Sequence, residues 1–347
     1  MKTLARITCL PAVLAAIWTT GCTHSSLRSA RNGLPVLPAE IATEYAYSKV
    51  PDFDAAEKII DETSRYVVRR VQLKPPGESA ESKRRITVDL YAVRGAGKSP
   101  VVMVLPMAGG GYAIERHFAG YFAGRGYSAV IVHRDKIPKD QQMIENLDPM
   151  IHRMILDHKR VIDWIETQPG LDASRVGIFG ISMGGIKGAM LAPLENRIRA
   201  AIIGLAGGDL PHVLAYSTEP GLAKKREEFL KERNLTPEQA EAELRKIVKR
   251  DPLLYAPYVD PKKVLMVIAR SDDVVPTAKG LELKEKMGNP ETIMLPGGHY
   301  TAVLSIPYIK SQSFEFFEKR FASEVILARD AKGKSAGGFS RVNAGRR

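Results

Sequence analysis

Six short, nearly unbroken apolar runs do most to limit how this chain can fold. They are VVMVLP (101–106), YSAVIVH (127–133), RVGIFG (175–180), RAAIIGLA (199–206), VLMVIA (264–269) and TIMLP (292–296). Runs of this kind offer no polar side to water, so they suit strands covered on both faces of a parallel sheet. Helical stretches separate them at 148–168, 183–194 and 277–287, with a last one at 303–321. In the first, Ile151, Ile155, Val161, Ile162 and Ile165 mark one apolar face, the spacing of a helix lying on a sheet. Two alternating strands, YVVRRVQL (66–73) and RITVDLYAV (85–93), come earlier and are joined through PPGES. The whole reads as an α/β fold, a mostly parallel eight-stranded sheet flanked by helices.

One insertion breaks the alternation. Residues 207–260 separate two strands by far more than a usual connection, and Leu222 to Lys249 is rich in Glu, Lys, Arg, Ala and Leu. This spacing predicts a helix pair whose second member starts at Thr236-Pro237-Glu238-Gln239. There Thr is the N-cap, Pro takes the first helical position, and Gln stands three residues on. Such an insertion at the sheet's edge is either a lid or a structural decoration.

The N-terminus differs in kind from the rest. Lys2 and Arg6 precede an apolar run, Ile7 to Trp18, and then TTGC at 19–22. These are the three regions of a secretory signal. The Gly-Cys ending resembles a bacterial lipobox, although Thr19 stands where leucine is usual. That resemblance implies a signal peptide over 1–21, lipidation at Cys22 and a flexible tether over 22–40. It also implies anchorage in a cell envelope, on the periplasmic or outer-surface side of a bacterial membrane. A plain signal peptide and an uncleaved anchor are the alternatives. Beyond residue 21 no run of eighteen apolar residues occurs, so no later segment is expected to span a membrane as a helix.

The cysteine count agrees with that division. Only Cys9 and Cys22 occur, so residues 41–329, expected to form one domain, contain no thiol for a disulfide, a thiolate metal site or a nucleophile. The formal charge is +12, with basic runs at 82–85 and 224–226 and a glycine-rich basic tail at 330–347 that reads as disordered. No aromatics interleave with the basic residues, and nucleic acid is not an expected partner. No Gly-x-Gly-x-x-Gly, P-loop or His-x-x-x-His in a credible loop is present, so neither a cofactor nor a metal is expected.

Residues 180–184 read GISMG. Gly-x-Ser-x-Gly is a weak signal alone, but here a strand ends at Gly180 and a helix opens just after Ser182. That is the context of a nucleophile elbow, where Gly180 and Gly184 leave room for a sharp turn. The N–H of Met183, at the helix N-terminus, points where an oxyanion would form. A serine needs a base. Of His24, His117, His133, His152, His158, His212 and His299, only His299 follows the last expected strand, in PGGHY. His117 and His133 lie near strand ends and could line a pocket. The base needs a carboxylate, and ARSDDVVP (269–276) offers Asp272 and Asp273. A second oxyanion donor is expected in LPMAGGGY (105–112), from Ala108 or Gly109. Arg134, Asp135 and Lys136 follow a strand and could fringe the pocket, but read rather as salt-bridged surface residues.

With Ser182, an aspartate and His299 in that order, the chain from about 66 to 321 resembles an α/β-hydrolase, of the dienelactone-hydrolase or prolyl-oligopeptidase-like kind. The resemblance implies that Asp272, four residues before Pro276, is the acid. Met107 stands where such families often have histidine. It further implies a serine hydrolase acting on a small-molecule ester through an acyl-enzyme. The rival readings are a peptidase or amidase with the same three residues, and a non-catalytic envelope lipoprotein that keeps the fold for binding. Specificity is expected to reside in 207–260 and in the loops 107–118 and 134–150.

Overall fold

The computed structural model describes residues 21–27, 33–77, 82–95, 97–109, 111–134, 144 and 146–336. All eight expected strands form, and two more join them at the edges. In chain order they are β1 (Thr23–Ser25), β2 (Ala56–Glu62), β3 (Tyr66–Leu73), β4 (Ile86–Val93) and β5 (Ser99–Leu105). There follow β6 (Ser128–Val132), β7 (Leu171–Ile181), β8 (Ile198–Gly204), β9 (Val264–Ala269) and β10 (Glu291–Leu295). The sheet order is β1-β10-β9-β8-β7-β5-β6-β4-β3-β2. From β10 through to β6 every pairing is parallel, while β4, β3 and β2 continue antiparallel.

The expectation of eight strands was short by one at each edge, for different reasons. β2 is exposed along its whole length and reads AEKIIDE, so it carries no two-faced apolar signature. β1 has three residues and pairs antiparallel with β10, Thr23 opposite Met294 and Ser25 opposite Thr292. It satisfies an edge that would otherwise leave backbone donors and acceptors unpaired. His24 reaches Glu291 at 2.8 Å, and Arg270 Nη2 donates to Thr23 Oγ1 at 2.7 Å. The start of the expected tether is therefore part of the sheet. A short helix, α1 (Ala39–Glu44), closes its other end. Of the expected signal peptide, residues 1–20 lie outside the described residues.

Alternate side chains of the central strands feed two cores. Val101, Met103 and Leu105 of β5 face one side, packed with α3 (Leu147–Thr167) and α4 (Met183–Leu194). Val102 and Val104 face the other, against α2 (Ala113–Ala123) and the long C-terminal helix. That second core is aromatic. Phe118 stacks on Phe179 with ring centroids 4.2 Å apart, and Phe122 meets Phe317 edge-on at 5.6 Å. Each such buried ring stabilises the fold by about 3–5 kcal/mol relative to alanine.

The insertion is helical, as the sequence predicts, with one more full helix than expected. It contains α5 (Leu210–Tyr216), α6 (Pro220–Arg233), α7 (Pro237–Ile247) and the single turn α8 (Pro252–Tyr255). α7 begins where the sequence puts it. Thr236 Oγ1 accepts from Gln239 N–H at 3.4 Å, and Gln239 Oε1 accepts from Thr236 N–H at 2.8 Å. After β9 come α9 (Thr277–Lys286) and, beyond β10, α10 (Ile306–Ala336). α10 enters the segment expected to be a disordered tail and runs to Ala336; residues 337–347 lie outside the described ones.

Because β5, β7, β9 and β10 are parallel, the loops that leave them gather at one end of the sheet. Ser182, Asp272, His299 and the 105–112 loop all come from these exits.

Candidate active site

Ser182 sits between β7 and α4 at φ 57°, ψ −127°, a region that L-residues occupy at a cost of about 1–3 kcal/mol. Its backbone is held from both sides: its N–H donates to the Gly204 carbonyl at 2.8 Å, and its carbonyl accepts from Ile186 at 3.0 Å. The flanking glycines are sterically required. A Cβ on Gly180 would lie 2.2 Å from the Gly184 carbonyl oxygen, and one on Gly184 would lie 2.2 Å from that of Leu105. The GISMG spacing is thus set by backbone touching backbone across the turn.

His299 and Asp272 complete a hydrogen-bonded relay. His299 Nε2 lies 3.0 Å from Ser182 Oγ, and Nδ1 lies 2.8 Å from Asp272 Oδ2. The carboxylate accepts only, so Nδ1 carries the proton and Nε2 turns its lone pair to the serine. Asp272 is buried, and its other oxygen accepts from Val274 N–H (3.0 Å) and Val275 N–H (2.9 Å). Thr277 clamps the same loop: its hydroxyl accepts from Asp272 N–H at 3.0 Å and donates to the Ala269 carbonyl at 2.8 Å. Asp273 is exposed, so of the two aspartates the fold brings Asp272 to the histidine.

The 105–112 loop is fixed by a residue that sequence reasoning passed over. Glu115, only 3% exposed, accepts from the Met107 N–H at 2.8 Å. That donor is occupied, whereas the Ala108 N–H has no partner among the described residues. Arg134 completes the brace. It donates to the Met107 carbonyl, and its guanidinium lies 4.4 Å over the Tyr112 ring. The Tyr112 hydroxyl accepts from Arg134 N–H at 2.9 Å. Arg134 thus lines the site wall; Asp135 and Lys136 lie outside the described residues. Behind it, His133 stacks on Tyr112 and lies 2.9 Å from Asp89, which also binds Arg70 at 2.7 and 2.9 Å. Burial alone would raise the Asp89 carboxyl, but hydrogen bonds and charge from His133 and Arg70 hold it down at about 2.

Comparison with known proteins bears on the fold. The Dienelactone hydrolase family model matches residues 87–227. An acetyl xylan esterase from Paenibacillus sp. R4 superposes with a TM-score of 0.59 at 16% identity, covering 82% of this chain and 100% of that one. The chain has the α/β-hydrolase fold. Acetyl xylan esterase 1 from Thermoanaerobacterium sp. JW/SL YS485 gives a TM-score of 0.55 at 15% identity, over 79% and 98% of the two chains. An uncharacterized protein of Mycobacterium tuberculosis is 31% identical over 146 residues, 42% of this chain. The match spans 32% of that relative's length.

Two cavities meet at the 105–112 loop. One, of about 430 Å³, is lined by Ser182, His299, Tyr300, Val303 and Glu219 among others. The other, of about 210 Å³, runs between α3 and α4, and Ala108 lines both. Leu214 and Leu222 wall the smaller cavity and Glu219 the larger, so the helical insertion shapes the site directly. Of the remaining histidines, His133 and His158 line the smaller cavity, while His117 lies against Lys310 away from both. Asp209, His212 and Glu241 come within 4.8 Å of one another in the insertion. Their carboxylates already face Lys279 and Arg245, which offset the charge a cation would need.

The Glu115 contact has a direct readout. A charge-assisted hydrogen bond at a buried site is worth about 1.5–3 kcal/mol. Glu115→Leu is expected to speed hydrogen exchange at Met107 and its neighbours by about 10- to 100-fold, read by mass spectrometry. Exchange in α4 should stay unchanged; an unaltered loop would mean that Arg134 alone fixes it.

Proposed function

We propose that this α/β-hydrolase cleaves carboxylic esters through an acyl-enzyme. The observation that carries the reading is the Ser182–His299–Asp272 relay, with Ser182 on a strained turn at the N-terminus of α4. Ser182 Oγ attacks the ester carbonyl carbon as His299 Nε2 takes its proton. Asp272 keeps the imidazole oriented and stabilises the imidazolium. The carbonyl oxygen, now negative, is held by the N–H of Met183 and by that of Ala108 or Gly109, since Glu115 occupies the N–H of Met107. Collapse expels the alcohol, which leaves with the proton from Nε2. Water then gives a proton to the same nitrogen, attacks the acyl carbon, and frees the acid and Ser182.

We infer also that the protein is held in a bacterial cell envelope by lipid on Cys22, after removal of residues 1–21. Pairing of β1 with β10 supports a functional orientation: Thr23 lies opposite Met294, and Cys22 packs beside Tyr308. Tyr300, Val303 and Leu304 are exposed on the segment between Met294 and Tyr308. An anchor leaving at this point sets the mouth of the larger cavity against the lipid surface.

Two measurements test these readings separately. Ser182→Ala should lower kcat on 4-nitrophenyl acetate by about 10⁴-fold or more while the thermal midpoint holds. A variant within tenfold of wild type would refute the nucleophile. Expressed in full length in a bacterial host, wild type should take up labelled palmitate and sediment with membranes, and Cys22→Ser should do neither. Equal labelling of both would overturn the anchor.

A further inference from the structure

The smaller cavity has a chemical asymmetry that the ester mechanism leaves unused. Its walls are apolar and adaptable, with Met150, Met154, Met183, Met190, Leu214 and Leu222 around it, and methionine fits chains of varied shape. At its lining stands one buried imidazole, His158 of α3, only 3% exposed. His158 Nδ1 is 2.7 Å from the Met154 carbonyl. A carbonyl can only accept, so Nδ1 holds the proton and Nε2 is left with a lone pair. That Nε2 is buried and has no hydrogen-bond partner among the described residues. Burial, helped by the Lys187 charge, outweighs the Met154 bond and pushes the ring down to about 4, so it is neutral at pH 7. Asp157 next to it is already ion-paired with Arg84, and Lys187 donates to the Pro106 carbonyl at 3.1 Å. An acceptor buried in an apolar pocket without a donor is costly. It therefore points to a ligand that brings one.

The direction of the ester follows from proton transfer. The leaving alcohol must reach His299 Nε2 to be protonated, which places it in the larger cavity with His299, Tyr300 and Val303. The acyl group then extends past Ala108 and Met183 into the smaller cavity. We propose that this cavity is the acyl subsite and that His158 Nε2 accepts a hydrogen bond from a hydroxyl carried on the acyl chain. The preferred substrates are esters of hydroxylated aliphatic acids, with His158 as a specificity-determining residue. This rests on the ester reading for its reaction, but the subsite itself is a matter of binding.

The test uses matched pairs: straight-chain acids of four to eight carbons with and without a terminal hydroxyl, and their 4-nitrophenyl esters. The free acids are titrated into wild-type protein by calorimetry, which needs no turnover, and kcat/KM is measured on the esters. At one or more lengths the hydroxy acid should bind about fivefold tighter or better than its parent, with a matching ratio in kcat/KM. His158→Leu should cancel or reverse that ratio, and His158→Gln, whose carbonyl keeps an acceptor, should retain part of it. Met154→Trp, which fills the cavity without touching the acceptor, should shift the preferred acid to a shorter chain. Pairs that differ by less than twofold at every length would overturn the proposal, as would a preference that survives in folded His158→Leu. A binding preference without hydrolysis of any ester would support the subsite and strike only the ester reading.

Discussion

Everything at this site depends on backbone atoms touching at one turn. Between β7 and α4 the chain reverses so tightly that no Cβ fits at Gly180 or Gly184, and Ser182 is left in a conformation that L-residues avoid. The strain is sustained because both neighbours are over-determined: β7 is locked between β5 and β8, and α4 is buried along nearly its whole length. Such a turn projects one side chain beyond the sheet and aligns a helix N-terminus beside it. His299 and Asp272 meet Ser182 there because β9 and β10 are parallel to β7 and end at the same level.

How much of this is legible in the residues themselves varies with the kind of force involved. The central strands declare themselves because burial on both faces demands unbroken apolar runs, as in VLMVIA. The start of α7 is equally plain, since the Thr236–Gln239 capping box is a local interaction four residues long. Gly180, Ser182 and Gly184 are readable because sterics at a sharp turn admit few residue types. β1 and β2 are not readable: one has three residues and the other is exposed throughout, so neither needs an apolar pattern. Glu115 is missed for another reason. Its partner is a backbone N–H eight residues earlier, and nothing in the local sequence marks a carboxylate that will be buried. Arg134 is legible only in part: its place after a strand allows the pocket fringe, while the Tyr112 ring beneath it is a contact 22 residues back in the chain.

The helical insertion changes standing once its contacts are known. As sequence it is equally a lid or a decoration. In the fold, Leu214 and Leu222 wall one cavity and Glu219 lines the other, so substitutions in it reach the site without touching the relay. The division of labour is physical. The sheet ends fix the reacting atoms to within a hydrogen bond, while the insertion and α3 decide which groups reach them. His158 belongs with these elements: it stands between Asp157 and Lys159 in α3, where sequence offers no reason to separate it from a packing histidine.

The central claim is that Ser182 is an activated nucleophile, and covalent trapping tests it most directly. The full-length protein is treated with a fluorophosphonate, digested, and the adduct located by tandem mass spectrometry. The account predicts one adduct, on Ser182, formed at least about 100-fold more slowly when His299 is replaced by alanine. An unlabelled Ser182, or labelling just as fast without His299, would contradict it.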